Sequence, residues 1–371
     1  MGIEALLNGG DVRHLAVERA IAEFRAGRPV VVETIGAPVL VAPIEGLDSA
    51  AAAALQGLAG AVARPVLAGP RLHHLGAERA SAALALPQID IARIERLAIA
   101  EEATCDAPVL PLLPGETEAL HLTHLAALVP ALVSVPLAAD ALAGAPVARI
   151  AAAAILAYPG RKQAALHIVS RAKVPLDGAP NSEFVIFRGG EGLRDQAAVI
   201  VGAPDLAEPV SVRLHSACLT GDLFGSLKCD CGDQLRMTAR YMAEHEGGII
   251  LYLDQEGRGN GLASKIKAYR LQAEGLDTYD ADEVLGFDHD QHGFSFAADM
   301  LKQLGVERVS ILTNNPAKID ALVEAGLQVV SQQRVHGRPT PENVGYLTAK
   351  RDRAGHSIDA ELLAQLASGQ G

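Results

Sequence analysis

Three cysteines that lie close together constrain this chain more than any other feature of its sequence. Cys218, Cys229 and Cys231 have the spacing C-x10-C-x-C, and the remaining cysteine, Cys105, lies far from them. Four cysteines in 371 residues are too few for a disulfide scaffold, so a cluster of three indicates a metal site. Because thiolates are preferred ligands of zinc, we expect a fold in which these three sulfur atoms meet.

The number of protein ligands decides what such a metal ion could do. Three protein ligands and one solvent molecule are typical of a catalytic zinc ion, because the bound water can react. His215 lies three residues before Cys218 and would close the site if it became the fourth ligand. The cysteines could also be ordinary buried thiols. We expect an open zinc site. The closed site with His215 and the ordinary buried thiols are the two alternatives that the sequence leaves.

The composition predicts a large core and excludes several classes of protein. Hydrophobic residues make up 49% of the chain and charged residues 20%, which excludes global disorder. A formal charge of −12 argues against an extended nucleic-acid surface. We find no apolar run of about 18 residues and no secretory pattern at the N-terminus. We therefore expect a cytoplasmic protein that binds neither nucleic acid nor membrane.

The alternation of short buried strands with helices predicts an α/β (mixed α+β) fold with two domains. We place an N-terminal α/β domain at residues 1–165 and a second domain with a mixed sheet at residues 166–371. The triplet Tyr158-Pro159-Gly160 predicts a turn near the boundary. In the second domain, Arg213 and His215 alternate with apolar residues, which predicts that both lie on one face of a strand.

Six separated motifs follow one another in the second half of the chain. They are HSACLTGD at 215–222, LKCDCG at 227–232, QEGR at 255–258, KIKAY at 265–269, LGF at 285–287 and LTNNP at 312–316. Together they closely resemble GTP cyclohydrolase II over residues 166–345, which is about half of the chain. That family opens the imidazole ring of GTP and releases formate and pyrophosphate, in the first committed step of riboflavin synthesis.

The resemblance implies a role for each matching residue. Cys218, Cys229 and Cys231 would bind one zinc ion, whose open position holds the attacking water. Tyr269 would contact the reacting ring and Asp290 would accept a proton. The residues assigned to substrate binding are Arg213, His215, Ser216, Gln234, Glu256, Gly257, Arg258, Thr278, Thr313 and Lys318. A small nucleotide substrate, Mg²⁺ on its phosphates and a homodimer are also implied.

The sequence departs from the family in the loop Gly259-Asn260-Gly261 and at two positions that bear on the chemistry. His292 stands where the family has the arginine thought to attack the α-phosphate, and Ala217 replaces a glutamate beside Cys218. Imidazole is a competent nucleophile near neutral pH, so we assign His292 to that step. The departures also leave two alternatives. The protein could open a uracil or uridine-nucleotide ring in pyrimidine catabolism, or it could be a non-catalytic, zinc-stabilised nucleotide-binding protein.

The N-terminal residues resemble another enzyme, dihydroxybutanone phosphate synthase, which is often fused ahead of cyclohydrolase II. The matching stretches are 17–21 and 25–32. In that enzyme, the strand predicted here at residues 28–33 is followed by an acidic loop that holds magnesium. At the corresponding place, residues 33–39 of this chain contain the single carboxylate Glu33. We predict a degenerate, non-catalytic domain that supports assembly.

Overall fold

Two compact units make up the computed structural model, which describes residues 12–59, 63–138, 142, 144–190, 193–288, 293–335, 337–338, 340–355 and 358. The first unit comprises the described residues up to 161 together with residues 263–276 and 280–288. The second comprises residues 162–262 and 277–279 and the described residues from 293 onward. Each unit is built on a mixed sheet, which confirms the predicted fold class. The domain boundary after residue 165 stays a prediction.

The helices and strands are numbered in chain order. The described helices are α1 Val12–Arg25, α2 Ser49–Ala59, α3 Gly69–His74, α4 Ile91–Ile99, α5 Glu116–Leu125, α6 Ala152–Ala164, α7 Leu219–Asp222, α8 Cys231–Glu244, α9 Gly261–Ala273, α10 Thr278–Val284, α11 Ser295–Gln303, α12 Pro316–Glu324 and α13 Val344–Ala354. The described strands are β1 Val30–Glu33, β2 Val39–Pro43, β3 Arg64–Leu67, β4 Ala82–Leu84, β5 Val109–Leu110, β6 Ala131–Pro136, β7 Ala148–Ala151, β8 His167–Lys173, β9 Ser182–Arg188, β10 Gln196–Val201, β11 Val210–Ser216, β12 Gly248–Leu253, β13 Arg308–Leu312 and β14 Gln328–Gln333. Among these described helices, none is both long and apolar enough to cross a membrane.

The sheet of the first unit separates two hydrophobic cores. Its described strands follow the order β5-β4-β3-β6-β2-β1-β7, with β1 and β7 parallel and the other pairs antiparallel. Successive residues of a strand point to opposite faces, so Val31 joins one core while Val30 and Val32 join the other. Helices cover both faces, and this explains why the strands read as continuous apolar runs.

The sheet of the second unit positions the cysteine motif. Its described strands follow the order β14-β13-β11-β12-β10-β9-β8, parallel from β14 to β12 and antiparallel from there to β8. In β11, Val210, Val212 and Leu214 enter the main core of this unit. Arg213 and His215 are buried as well, at alternate positions. The predicted alternation is therefore observed, and the carboxyl end of β11 leads directly to Cys218.

The predicted turn at Tyr158-Pro159-Gly160 is wrong. The helix α6 continues through Pro159 to Ala164. A proline inside a helix removes one hydrogen bond and costs about 3 kcal/mol. Ile155 and Tyr158 on the same helix are almost fully buried against the sheet, and their packing offsets this cost. A local turn signal has been overridden by tertiary burial.

Candidate metal centre and nucleotide site

The three cysteines meet at the carboxyl end of β11. Cys218 follows that strand, whereas Cys231 begins α8, and the sulfur atoms of Cys218, Cys229 and Cys231 all lie within 4.8 Å of one another. The sulfur atoms of Cys218 and Cys229 are 3.6 Å apart and form no disulfide. Zinc–sulfur bonds of about 2.3 Å in a tetrahedron place sulfur atoms about 3.8 Å apart. The cluster could therefore hold a metal ion with little rearrangement.

Gly221 leaves the space that a metal ion needs beside these sulfur atoms. A Cβ atom at this position would lie 2.8 Å from the sulfur of Cys229 and 3.0 Å from that of Cys218. Both distances are shorter than ordinary van der Waals contacts, so a side chain would displace the sulfur atoms. Glycine at this position fits a site whose centre must stay clear for an ion.

The thiols are poorly suited to ionise together without a cation. The hydrogen bond with Cys218 is the largest cause that raises the pKa of Cys231 well above its usual value, followed by the contact with Cys229 and by burial. The interaction with Cys218 likewise raises the pKa of Cys229. Like charges in close contact disfavour ionisation, and a bound cation reverses that preference. The donor set thus fits a metal ion that is bound by thiolates.

His215 is directed toward a carboxylate. Its Nε2 lies 3.1 Å from both carboxylate oxygens of Asp222. Within the described part of the chain, the group of potential ligands around the cysteines contains no other side chain. A closed site with His215 as the fourth ligand is therefore not formed by the described residues. Burial is the main cause that lowers the pKa of His215, and the hydrogen bond with Asp222 opposes it.

Asp222 connects this histidine to the metal cluster. Its Oδ2 accepts hydrogen bonds from the backbone N–H of Cys218 and from the hydroxyl of Tyr252, both at 2.9 Å. The rings of Tyr252 and His215 stack with centroids 5.5 Å apart. The sequence analysis assigned no role to Asp222. Its position four residues after Cys218, in the same motif, could have indicated a role at the cysteine cluster. Asp222 fixes the backbone that presents the first cysteine.

Arg213 and Gln234, both predicted to bind substrate, lie side by side. Arg213 is only 6% exposed and donates from Nη2 to the side-chain oxygen of Gln234 and from Nη1 to the carbonyl of Leu312, at 3.2 Å for the latter. Gln234 donates in turn to Asp230, which lies between two of the cysteines in sequence. Burial is the main cause that lowers the pKa of Arg213. Its buried Nε has no hydrogen-bond partner among the described atoms.

The glycine-rich loop after β12 is attached to the cysteine motif. Glu256 accepts a hydrogen bond of 2.6 Å from the backbone N–H of Leu219, the residue after Cys218. Gly257 and Arg258 both have φ near +60°, a left-handed conformation that an arginine rarely adopts. The guanidinium of Arg258 packs over the ring of Tyr279, 4.5 Å from its centroid. The loop thus presents three predicted substrate residues beside the cysteine motif.

The remaining predicted residues are distributed over both units. Ser216 donates to Gln255 at 3.2 Å, and Thr313 accepts from the backbone N–H of Asn315 at 3.1 Å. Lys318 donates to the carbonyl of Leu214 at 2.7 Å. Thr278, in the second unit, begins α10.

Tyr269 lies on α9 in the first unit, with Lys265 Nζ 5.8 Å from its ring centroid, because residues at i and i+4 share one face of a helix. Asp290 and His292 lie outside the described residues. Their assigned roles stay predictions.

Comparison with known proteins identifies the family. Residues 167–334 match the family described as GTP cyclohydrolase II. A protein named GTP cyclohydrolase-2 from Xylella fastidiosa (strain Temecula1 / ATCC 700964) is 42% identical over 368 residues, covering 95% of this chain and 90% of the relative. One of the same name from Azospirillum brasilense is 38% identical, covering 95% of this chain and 96% of the relative. The chain therefore belongs to the GTP cyclohydrolase II family and is an enzyme of that hydrolase class.

A solved structure offers a weaker likeness along most of the chain. It is RibBX, described as a two-domain 3,4-dihydroxy-2-butanone 4-phosphate synthase from A. baumannii. It is 15% identical, covers 87% of this chain and 99% of its own, and has a TM-score of 0.32. This likeness is too low to carry a conclusion about the N-terminal residues.

Proposed function

We propose that this protein is a zinc-dependent hydrolase that opens the imidazole ring of GTP, with release of formate and pyrophosphate. The observation that carries the proposal is the trio of cysteine sulfur atoms around the space that Gly221 keeps clear. No histidine among the described residues completes the trio, and this supports a site with one position open for water. The names of the full-length relatives support GTP as the substrate.

The residues of the chain supply binding, orientation and proton transfer. Cys218, Cys229 and Cys231 would hold the zinc ion. When bound, zinc would supply a water that ionises near neutral pH and can attack a ring carbon between two nitrogens. Asp222 and Glu256 fix the backbone on either side of Cys218, since they accept from the N–H groups of Cys218 and Leu219.

Substrate binding is assigned to the residues that surround this motif. The buried cation Arg213 offers a free Nε–H, which suits an oxygen of the substrate. Arg258 and Lys318 add positive charge for the phosphates, together with Mg²⁺. We assign orientation of the reacting ring to Tyr269 and proton acceptance to Asp290. We also propose a homodimer, as the family resemblance implies, and a cytoplasmic location, as the sequence pattern predicts.

The phosphate step is assigned to His292. A nitrogen of its imidazole would attack the α-phosphorus and form a P–N bond, while the P–O bond to pyrophosphate breaks. Water would then cleave the P–N bond, returning free histidine and a nucleoside monophosphate. This step needs no residue beyond those that the sequence offers.

We further propose that residues 1–165 form a degenerate domain without catalysis of its own. Glu33, the last residue of β1, is paired with Arg149 at 2.9 Å. A carboxylate that is already neutralised by an arginine is a poor start for a magnesium site.

A substrate panel tests the proposed reaction. The zinc-loaded protein is incubated with GTP, GMP, uracil, uridine or UMP, and the products are analysed by mass spectrometry. We expect formate and pyrophosphate from GTP alone. A ring-opened product from uracil or a uridine compound, without turnover of GTP, would favour the pyrimidine alternative. Absence of turnover with every compound would refute the proposal.

A further inference from the structure

The segment 263–288 belongs in space to residues that are distant in sequence. It lies inside the stretch 167–334 that matches the family, yet residues 263–276 and 280–288 are part of the first unit, which the N-terminal residues build. We infer that the N-terminal region fixes the position of this segment and that Arg71 is the main residue that positions it. Neither the family match nor the relatives' names assign such a role.

Arg71 ties the ends of two helices together. It is 1% exposed, and it is one of the largest fully buried side chains of the protein. Its Nε and Nη2 donate to the carbonyls of Leu97 and Ala100 at the end of α4, both at 2.7 Å. Its Nη1 donates to the carbonyl of Val284, the last residue of α10, at 2.8 Å. Carbonyls at a helix end lack partners within the helix and carry its negative dipole, so a buried cation satisfies both ends at once.

The charge of Arg71 persists despite its burial. Burial lowers its pKa to about 10, so that the guanidinium remains protonated at neutral pH. It therefore keeps all of its donors for the carbonyls. A neutral side chain of similar length could fill the volume and would leave these carbonyls without a partner.

Ion pairs surround this contact on both sides. Glu283 of α10 accepts from Arg79 at 3.0 Å and lies 2.6 Å from Nδ1 of His73. On α9, Lys267 forms an ion pair with Glu45. Glu45 also accepts from the backbone N–H of Val129 at 2.9 Å, in the loop between α5 and β6. Both helices of the segment are thus bound to the N-terminal region through charged side chains.

Close packing completes the contact. Gly286 has φ of +84°, and a Cβ atom there would lie 3.2 Å from Cβ of Arg71 and from Cγ of Pro130. The buried side chains of Leu271, Leu285 and Phe287 form a small core, against which Ile99 of α4 packs. These hydrophobic and charged contacts of residues 263–276 and 280–288 therefore lie within the first unit.

The functional part of the inference rests on the proposed function. The helix α9 carries Tyr269, to which we assigned the reacting ring, and Lys265 beside it. A displacement of about 1 Å of a positioning group can lower turnover about 100-fold. Release of the segment should therefore lower kcat more than it changes KM, because the residues assigned to the phosphates, Arg258 and Lys318, lie in the other unit.

The test compares three variants of the full-length, zinc-loaded protein. They are Arg71→Met, the conservative Arg71→Lys, and Arg64→Met as the matched control. Arg64 is another poorly exposed arginine of the first unit, and its bonds go to Glu116 and Pro111. Hydrogen exchange is followed in peptides from 263–288 and, for comparison, in peptides from α8 and α12. kcat and KM for GTP are measured per zinc-loaded molecule.

We expect exchange in 263–288 to become at least 10-fold faster in Arg71→Met and to change less than twofold in α8 and α12. kcat should fall at least 10-fold while KM stays within threefold, and Arg71→Lys should recover part of both effects. Unchanged exchange in 263–288, or equal acceleration by Arg64→Met, would overturn the inference. Faster exchange with unchanged kcat would overturn its functional part.

If Arg71→Met fails to fold, a second pair of variants, at partly exposed ion pairs, tests the same inference. Lys267→Met removes a partly exposed contact to Glu45, and Arg149→Met, which removes a similar pair with Glu33, is its control. Faster exchange in 263–276 with Lys267→Met alone supports the inference, and no difference between the two variants overturns it. If the parent protein does not turn over GTP, the proposed function fails, and the exchange data alone decide the inference.

Discussion

The substitution Gly221→Ala tests most directly whether the cysteine cluster is built around an ion. The added methyl group would lie 2.8 Å from the sulfur of Cys229 and 3.0 Å from that of Cys218. Gly221 is not among the glycines with positive φ, so alanine is not strained by the backbone there. The effect is therefore confined to crowding of the ligand atoms.

The magnitude follows from the cost of overpacking. Inserting a methyl group into a packed site costs about 1–3 kcal/mol. If this cost falls on the metal-bound geometry, zinc affinity should decrease about 5- to 150-fold, since 1.4 kcal/mol corresponds to a factor of 10. Turnover should be lost at limiting zinc and should return, at least in part, when zinc is in excess.

Competition with a chromophoric chelator measures the affinity. The matched control is Gly345→Ala in α13, where the added Cβ meets nothing within 4 Å. Circular dichroism establishes that both variants keep the fold. Wild-type zinc affinity in a folded Gly221→Ala protein would refute the argument that this glycine clears space for the ion.

Three further predictions follow from the same site and from the first unit. Cys229→Ser should lose about one equivalent of zinc and all turnover, as determined by metal analysis, and full zinc retention would contradict the ligand assignment. His292→Ala should abolish pyrophosphate release while formate release stays measurable; if both products persist at wild-type rates, the nucleophile assignment is wrong. Burial opposes ionisation of Glu283, but its hydrogen bonds with His73 and Arg79 hold its pKa below the usual value. The stabilisation should therefore be present above about pH 4.5 and should be lost as the pH falls through the lowered pKa. Thermal melts of the wild type and Glu283→Gln should accordingly converge as the pH falls below about 4.5 and through the lowered pKa of Glu283, and a constant difference would contradict the assignment.

The features that could be predicted from sequence are those whose partners are close in the chain. The cysteine spacing predicted the cluster because a strand end, a short loop and a helix start bring 218–231 together. The alternation in β11 predicted that Arg213 and His215 share one face of the strand, and the i, i+4 spacing of Lys265 and Tyr269 on a helix explains their contact. In each case the geometry of one element or one loop decides the contact.

The features that were missed depend on residues far apart in sequence. Arg71 stands in the short stretch GPRLHH, where an arginine reads as a surface residue, and its burial arises from carbonyls as distant as Val284. The helix through Pro159 follows from packing against a sheet that its own sequence does not reveal. Asp222 was visible in a motif, but its partner Tyr252 lies 30 residues away.

The membership of residues 263–276 and 280–288 in the first unit bears on how such a chain can change over generations. A recombination at the codon for residue 165 would replace the N-terminal residues against which α9 and α10 pack, and would keep the two helices themselves. Descendants could thus discard every catalytic group of the leading half and still be unable to lose that half. A region without chemistry of its own would then be inherited because another part of the polypeptide rests on it.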